Sequence, residues 1–317
     1  MGTREIRRIR ERKHDNLRRL RGKTGYQIMK EGPLLGKEVI SYLDIKKDGF
    51  YIDATAGMGY LSEVILNELG ADGALLMTDL DEDLCGILNE NKLFREKRVM
   101  IENSSYTELP DVIKKRKLPK ADGILFDFGV GTYQLNSDRG FSFMKDDFPD
   151  MRYSRRTGLR AWDVINSYPE KELADIIYKF GEERRSRRIA KRIAEARSNG
   201  SIDTVSRLAE IIKKCAPGGK IHPATKTFQA LRIFVNGELE NVEAAFSFLP
   251  EIMKPGARCV FLTFHSLEDR IVKNSLKKLA SDGIINLLTK KAVKASYAQS
   301  RIQPRARSIR LRAAQII

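Results

Sequence analysis

A short glycine-containing loop, Asp53-Ala-Thr-Ala-Gly57-Met-Gly59, restricts what this chain can fold into more than any other feature of its sequence. An apolar run over Gly49–Asp53 leads into the loop, and an apolar helical pattern over Leu61–Leu69 follows it. Glycine adopts positive φ without a steric penalty and lets the backbone come close to a ligand. The loop therefore predicts a strand, a ligand-binding turn and a helix, the first unit of a nucleotide-binding α/β fold.

Strand and helix patterns alternate on both sides of a central helical region. Further strands are predicted at Ala74–Thr78, Val99–Glu102, Gly123–Asp127, Arg258–Phe264, Ile284–Leu288 and Ser308–Leu311, and further helices at Leu35–Leu43, Glu238–Met253 and Leu267–Leu279. Most of these strands are apolar runs, as expected when both faces of a sheet are covered. The alternation predicts a Rossmann-like, doubly wound parallel sheet.

The region from 131 to 232 carries helical patterns without a convincing strand. Helices are predicted there at Lys171–Phe180, Arg185–Ala196 and Thr204–Cys215, and Pro217-Gly-Gly should end the last of them. We therefore divide the chain into three parts. These are a basic N-terminal arm (1–30), an α/β domain (31–131 and 233–317), and a helical insertion domain for substrate recognition (132–232).

The chain is strongly basic, with 58 Lys and Arg residues against 42 acidic residues and a formal net charge of +16. Such a charge favours polyanionic partners, RNA or DNA above all, through the release of counterions. Besides the arm, two basic patches stand out. They comprise Arg184, Arg185, Arg187, Arg188, Lys191, Arg192 and Arg197 in one predicted helix, and Arg305, Arg307, Arg310 and Arg312 within the acid-free stretch 283–317. Contact with RNA phosphates and a merely solvated helix face both remain open.

The surroundings of the loop favour an adenosine cofactor. Asp79 ends the next predicted strand, where an acid accepts hydrogen bonds from ribose hydroxyls. Tyr106 follows the third strand, where a ring can pack on adenine, and Asp127 ends the fourth. NAD is disfavoured because Ser62 stands where the dinucleotide fingerprint has its third glycine. A P-loop enzyme is disfavoured because no GxxxxGK[ST] motif occurs. S-adenosylmethionine fits better, since it has no pyrophosphate.

Several other kinds of site are not predicted. The three cysteines, Cys85, Cys215 and Cys259, are widely spaced and should be buried, reduced thiols. His222 and His265 lack metal-ligand spacing, so we expect no metal and predict that they cap the turns that follow them. No segment approaches the roughly 20 apolar residues that span a bilayer, so we expect no membrane partner and a cytoplasmic location.

Five longer motifs lie outside the cofactor loop. They are Asp138-Arg-Gly-Phe-Ser-Phe-Met144, Tyr178-Lys-Phe-Gly-Glu-Glu183, His222-Pro-Ala-Thr-Lys-Thr-Phe-Gln-Ala-Leu-Arg-Ile233, Phe264-His-Ser-Leu-Glu-Asp-Arg-Ile-Val-Lys273 and Pro304-Arg-Ala-Arg-Ser308. With these motifs the chain, from about Pro33 to Arg312, resembles the bacterial 16S rRNA cytosine-N4 methyltransferase family, also called RsmH or MraW.

The resemblance implies a class I S-adenosylmethionine-dependent methyltransferase fold with a helical insertion. It implies S-adenosylmethionine as the donor and a cytidine in the decoding region of 16S rRNA as the target, in free rRNA or in the small ribosomal subunit. A homodimer is compatible with it. By position, and together with Gly57 of the loop, the implied cofactor-binding residues are Gly59, Tyr60, Leu61, Asp79, Tyr106, Asp127 and Gln134.

Four stretches depart from the family pattern. Gly59-Tyr60-Leu61 replaces Gly-Gly-His, and Glu31-Gly-Pro33 lacks the histidine of His-x-Pro. Gly129-Val-Gly-Thr-Tyr-Gln134 replaces Gly-Val-Ser-Ser-Pro-Gln, and Phe148-Pro-Asp-Met-Arg-Tyr153 replaces Pro-Leu-Asp-Met-Arg-Met. The first and third stretches should lie at the cofactor and target pocket. Two alternatives therefore stay open: a paralogue that methylates another RNA site, and an RNA-binding assembly factor that has lost methyl transfer.

Methylation of an exocyclic amine requires that its delocalised lone pair be freed. Asp127 is the first candidate for the catalytic role of orienting the amine or the cofactor, and the alternative is that it only binds the methionine moiety. No general base is essential, because the nitrogen becomes acidic once it is alkylated, and positioning supplies rate. The target base must leave its stack, and aromatic side chains can hold it. The candidates are Tyr133, Phe141, Phe143 and Tyr153, for which ordinary packing is the alternative.

Overall fold

The computed structural model describes residues 33–215, 221–302 and 304–317. The predicted N-terminal arm, residues 31–32 of the altered Glu31-Gly-Pro33 motif, the predicted stop at Pro217 and the side chain of Arg305 lie outside this description. The chain divides into two compact units. The first contains the described residues up to Gly129 together with Leu239–Ile317, and the second is Val130–Glu238.

A single sheet forms the framework of the first unit. Its strands are β1 (Phe50–Asp53), β2 (Ala74–Asp79), β3 (Val99–Asn103), β4 (Ala121–Asp127), β5 (Met253–Thr263), β6 (Ile285–Leu287), β7 (Val293–Lys294) and β8 (Arg310–Ile316). The spatial order is β3-β2-β1-β4-β5-β8-β6, and β7 pairs with β8. Strands β1 to β5 are parallel, whereas β8 runs antiparallel to β5. The α/β class and every predicted strand are therefore confirmed, and β5 and β8 are longer than predicted.

Both faces of the sheet are buried, as the apolar strands predicted. Alternate residues of each strand belong to different core clusters: Ile52 and Phe126 lie on one face, and Tyr51 and Leu125 on the other. On the first face, the ring of Phe261 stacks on Phe126 at 5.2 Å between centroids. Coverage of both faces explains why these strands are continuous apolar runs rather than alternating ones.

Among the described residues, seven α-helices belong wholly to the first unit. They are α1 (Gly36–Leu43), α2 (Tyr60–Glu68), α3 (Glu82–Glu90), α4 (Leu109–Arg116), α12 (Leu249–Ile252), α13 (Ser266–Ser281) and α14 (Tyr297–Ile302). Helices α1, α2 and α13 were predicted, with limits that differ by one or two residues. Cys85 and Cys259 are buried and free in this unit, and so is Cys215 in the second unit, as predicted.

The single helix predicted over Glu238–Met253 is wrong. The chain instead forms α11 (Glu238–Ala245), the short α12, and then the start of β5 at Met253. Pro250 explains the interruption, since a proline inside a helix has no N–H to donate and its ring clashes with the carbonyl four residues earlier. In the structure Pro250 lies in the first turn of α12, where a proline is tolerated.

The described residues of the second unit form helices and loops without a strand, as predicted. Its helices are α5 (Thr132–Asn136), α6 (Ala161–Ser167), α7 (Glu170–Gly181), α8 (Ser186–Ser198), α9 (Val205–Cys215) and α10 (Thr225–Asn236). On α8 the buried residues are Ile189, Ala190 and Ile193, whose spacing gives the helix one apolar face. Helices α5, α6 and α10 were not predicted. In the described part of the chain, no helix has both the length and the apolar character that crossing a bilayer requires.

Two glycines allow a matched test of the loop geometry. Gly59 has φ of 81°, and a Cβ there would lie 2.6 Å from the ring of Phe94. Gly86 lies within α3, and a Cβ there would meet nothing within 4 Å. We expect Gly59→Ala to lower the free energy of unfolding by about 1–3 kcal/mol, through overpacking and positive φ. Gly86→Ala should raise it by about 0.4–1 kcal/mol. Urea denaturation measures both, and equal effects would contradict the role of Gly59.

Candidate cofactor-binding site

The loop between β1 and α2 is organised by the buried carboxylate of Asp53. This carboxylate accepts hydrogen bonds from the Thr55 backbone N–H at 3.2 Å and from the Ser62 hydroxyl at 2.5 Å. Ser62, the residue that departs from the dinucleotide fingerprint, is fully buried. Its hydroxyl therefore ties the first turn of α2 to the end of β1, a role that a third glycine has no side chain to perform.

Asp79 is joined to the same loop. Its carboxylate accepts hydrogen bonds from the backbone N–H of Gly57 at 2.8 Å and from that of Asp81 at 2.9 Å. The structure thus brings the predicted ribose acid and a loop glycine into direct contact. This contact fixes the position of the acid relative to the loop.

Asp127 lies at the end of β4 beside the same loop. Its backbone N–H donates to the Thr55 hydroxyl at 2.6 Å. Its Oδ1 atom is buried and has no hydrogen-bond partner within the described residues. A buried carboxylate oxygen without a partner is costly unless a ligand satisfies it. Asp127 is therefore available to an amine or an ammonium group.

Glu268, in the first turn of α13, is a site residue that the sequence reasoning missed. Its buried carboxylate accepts hydrogen bonds from the backbone N–H of Phe264 at 2.8 Å and of His265 at 3.3 Å. It fixes the turn at the end of β5. The signal was present in the sequence, because His265 and Glu268 have the three-residue spacing of a reciprocal helix cap.

The capping roles predicted for the two histidines are confirmed. The Nδ1 atom of His265 accepts a hydrogen bond from the Glu268 backbone N–H at 3.2 Å. In the second unit, Nδ1 of His222 accepts from the Ala224 N–H at 3.2 Å. Both rings therefore act locally on the backbone of the turn that follows them.

Burial, and for two of them nearby carboxylates, raises the pKa of three carboxyl groups at this edge of the sheet. Burial raises the pKa of Asp53 to about 6 and that of Asp79 to about 7. Burial, together with repulsion by the charges of Asp53 and Glu268, raises the pKa of Asp127 to about 8. Carboxyl groups that resist ionisation together accept a cationic ligand readily, because the ligand compensates their mutual repulsion. This edge of the sheet suits a ligand with positive charge.

The other predicted cofactor residues have mixed surroundings. Tyr60 begins α2 and is partly exposed, whereas the side chain of Leu61 is buried in the core, which leaves its backbone as the part that can contact a ligand. Tyr106 meets Phe126 and Phe128 edge to face, at 5.7 and 5.6 Å between ring centroids, and so lies next to the end of β4. Gln134 belongs to the second unit, where its buried side chain accepts from the Gly131 N–H at 3.1 Å.

Two of the candidate aromatic residues for holding a base stack on each other within the second unit. The rings of Phe141 and Tyr153 lie 5.5 Å apart at an interplanar angle of 16°. The ring of Phe143 stacks on His222 at 4.3 Å. These contacts give both phenylalanines packing partners of their own within this unit.

The basic helix α8 and the turn before it have one strongly charged exposed face. Its exposed cations that form no ion pair with the described residues are Arg184, Arg185, Arg187, Arg188 and Lys191. Arg192 pairs with Glu195 at 3.1 Å. Arg197 does not belong to this face, because its guanidinium donates to the backbone carbonyls of Ile165 and Tyr168. Five of the seven predicted cations thus remain as candidate phosphate contacts.

The comparisons with known proteins concern nearly the whole chain. A family model described as the MraW methylase family matches residues 29–317. A protein of Acidobacterium capsulatum named Ribosomal RNA small subunit methyltransferase H is 42% identical over 294 residues, which cover 89% of this chain and 97% of the relative. A protein of the same name from Endomicrobium trichonymphae is 42% identical over 285 residues, which cover 89% of this chain and 97% of the relative.

The raised pKa of Asp127 predicts how a substitution changes stability with pH. Since its pKa is about 8 in the folded chain, far above the ordinary value of 3.8, ionisation costs stability as pH rises through that interval. Asp127→Asn removes this cost, so we expect the variant to melt higher than the unmodified protein at pH 8.5 and to lose most of that advantage near pH 4. Calorimetric melting curves measure the difference.

The exposed Asp72 provides the control for this experiment, as Asp72→Asn. We expect it to shift the melting temperature little and without this pH trend. If the melting temperature of Asp127→Asn changes with pH as that of the control does, or is lower than that of the unmodified protein at pH 8.5, Asp127 does not have the raised pKa described above.

Proposed function

The chain belongs to the MraW methylase family, and from this premise we propose that it methylates N4 of a cytidine in 16S rRNA, with S-adenosylmethionine as donor. Besides family membership, the proposal rests on the set of carboxylates at the carboxyl end of the parallel strands. Asp79 binds the loop glycine and Asp127 offers a buried oxygen without a hydrogen-bond partner in the described chain. This is the edge at which open α/β sheets bind ligands.

The residues present fit S-adenosylmethionine. It supplies an electrophilic methyl group on a positively charged sulfonium, and it also carries an ammonium group. Asp79 keeps lone pairs for ribose hydroxyls beyond its two backbone bonds. Tyr106, which packs against Phe126 near the end of β4, offers a ring for adenine. The backbone of Gly59, Tyr60 and Leu61 lines the start of α2. Gln134, which belongs to the second unit, stays a prediction from the family resemblance.

Asp127 is the residue to which we assign the orientation of the reacting groups. Its free Oδ1 accepts a hydrogen bond either from the target amino group or from the ammonium group of the donor. Acceptance from the target amine would favour a pyramidal nitrogen with an available lone pair. Holding the two reactants in line contributes through proximity, which is worth several kcal/mol in favourable cases. Glu268 and Asp53 act on Asp127 through charge.

The second unit is the proposed recognition domain, with limits near residues 132 and 232. Its exposed arginines on α8 match a phosphate backbone, which proteins contact without reading sequence. The target is proposed to be a decoding-region cytidine, in free 16S rRNA or in the small subunit, and the enzyme to work in the cytoplasm. The homodimer stays a prediction, and light scattering of the purified chain measures the molar mass that tests it.

A second candidate function is methylation of another RNA site. The altered stretches favour it, since Gly59-Tyr60-Leu61 lies at the loop and Gly131-Thr-Tyr133 follows β4. The carboxylates of the site are present in either case. Mapping the methylated nucleotide therefore distinguishes the two functions, whereas measuring cofactor affinity does not.

Cofactor affinity tests the role of Asp79. Asp79→Asn removes the charge from the proposed ribose acceptor, and hydrogen bonds to charged groups contribute about 1.5–3 kcal/mol. We therefore expect the dissociation constant for S-adenosylmethionine to rise by about 10- to 100-fold in isothermal titration calorimetry. Asp72→Asn serves as the control and should bind like the unmodified protein. Binding of NADH, or no binding of S-adenosylmethionine by the unmodified protein, would contradict the proposal.

The target is tested in cells that lack this protein. Mass spectrometry of their 16S rRNA should show the loss of one N4-methyl group from a decoding-region cytidine. The unmodified chain should restore that methyl group, and Asp79→Asn should restore it poorly. Retention of the methyl group in the deletion, with loss of a methyl group elsewhere in RNA, would replace the first candidate with the second.

A further inference from the structure

A surface depression in the first unit, between α13 and the end of β6, is lined by four cationic side chains. They are Lys273, Lys277, Lys290 and Arg312, and we call this feature the lysine depression. Leu287 and Thr289 form part of its wall. Among the residues that the structure describes, no acidic side chain lines it. It therefore presents a concave surface of one sign of charge.

The cations of the depression divide into one that is neutralised and three that are not. Arg312 donates two hydrogen bonds to the carboxylate of Asp269, at 2.8 and 3.1 Å. Lys273, Lys277 and Lys290 are exposed and make no ion pair with the described residues. Lys273 and Lys277 lie four residues apart on α13, so they share a face and repel each other.

The excess of positive charge continues along β8. In the antiparallel pairing of β7 with β8, Lys294 lies directly opposite Arg310. Like charges in opposite positions destabilise a strand pair. Arg310 and Arg312 are two residues apart and so point to the same face of β8. The Asp269 carboxylate lies 3.8 Å from the Arg310 guanidinium and also binds Arg312, so a single acid serves two arginines.

The lysine depression is close to the carboxylate site along α13. Lys273 follows Glu268 by five residues, and a helix rises 1.5 Å per residue, so the two positions are roughly 7.5 Å apart along the helix axis. Glu268 fixes the turn at the carboxyl end of β5, at the edge of the sheet where the proposed donor binds. A chain of phosphates seated on the depression would therefore pass near the reacting centre.

We propose that the lysine depression binds the phosphate backbone of the RNA substrate, at a contact separate from the one that receives the target base. The identity of the polyanion as RNA rests on the proposed function. Lysine ammonium groups bind phosphates as point charges, without regard to sequence. A concave wall fits a phosphodiester chain better than it fits a flat anionic membrane. Bound phosphates would also offset the repulsion between Lys273 and Lys277.

The experiment uses the full chain and a 16S rRNA fragment that contains the decoding region. The test variant is Lys273→Gln with Lys277→Gln, and Lys290→Gln is a second, independent variant on the loop after β6. Glutamine preserves helix propensity at the two exposed positions of α13, and Lys290 is an exposed loop residue, so both variants should fold. The matched control is Lys114→Gln with Lys115→Gln, which removes two exposed lysines from α4. All three should bind S-adenosylmethionine like the unmodified protein.

We expect the double test variant to bind the fragment about 5- to 10-fold more weakly at 0.1 M salt. The slope of log affinity against log salt should fall by about 1–2, since each lost phosphate contact removes roughly 0.7–0.9. Lys290→Gln should lower the affinity in the same direction, by about two- to threefold. The control should change it less than twofold. Equal losses in the test variant and the control, or no loss in either, would overturn the proposal.

Vesicles of phosphatidylglycerol provide the competing polyanion. Loss of vesicle binding with unchanged RNA affinity in the test variant would also overturn the proposal, in favour of a membrane contact. The outcome is separable from that of the proposed function. If the unmodified chain methylates no rRNA while RNA affinity still depends on Lys273 and Lys277, the methylation proposal is wrong and the proposed phosphate contact is supported. If it methylates rRNA and the variants bind RNA like the unmodified chain, only the proposed phosphate contact is wrong.

Discussion

The register of β1 between its two neighbours is the constraint on which the site depends. Asp53 pairs with Met77 of β2 and, on the other side, with Leu125 of β4. Asp79 and Asp127 each lie two residues beyond those partners, so the alternation of side chains directs both toward the same side of the sheet edge. A shift of one residue in either pairing would turn the corresponding carboxylate to the opposite side. The apolar residues before each acid, such as Ile52 and Leu76, fix the register because they are fully buried.

The same arrangement places carboxylates closer together than the stability of the protein alone would favour. Hydrogen bonds from Ser62 and the Thr55 N–H satisfy Asp53, and backbone N–H groups of the loop and of the residue that caps α3 satisfy Asp79. Asp127 is the member left with a buried oxygen that no described residue satisfies. Unsatisfied groups of this kind concentrate at functional sites, where the cost in the free protein becomes binding energy for the right ligand. For these carboxylates the right ligand is a cation, and S-adenosylmethionine is one.

The sequence predicted best those features that depend on neighbouring residues. The strands, the glycine loop and the histidine caps follow from local patterns, and the structure contains all of them. Prediction failed where distant residues decide. Glu268 enters the site because β5 lies beside β4, far away in sequence, and Arg197 leaves the basic face because it bonds carbonyls of another helix. The helix predicted over Glu238–Met253 failed for a local reason, since the apolar period continued past Pro250 and outweighed the signal of the proline.

The sequence of the second unit interrupts that of the first, and this affects how the sheet forms during translation. β4 ends at Asp127 and its partner β5 begins at Met253, so the residues that complete the sheet are translated only after the whole insertion. At synthesis rates of about 5–20 residues per second, β4 waits roughly 6–25 s with an unpaired edge. An apolar edge strand left open is a template for association with other chains. Formation of the helical unit during this interval uses only contacts of lower sequence separation, which form faster than distant strand pairs. Closure of the sheet by β5 and β8 is thus the late step in folding, and a nascent chain stalled before Met253 would carry an incomplete methyltransferase sheet and be prone to aggregate.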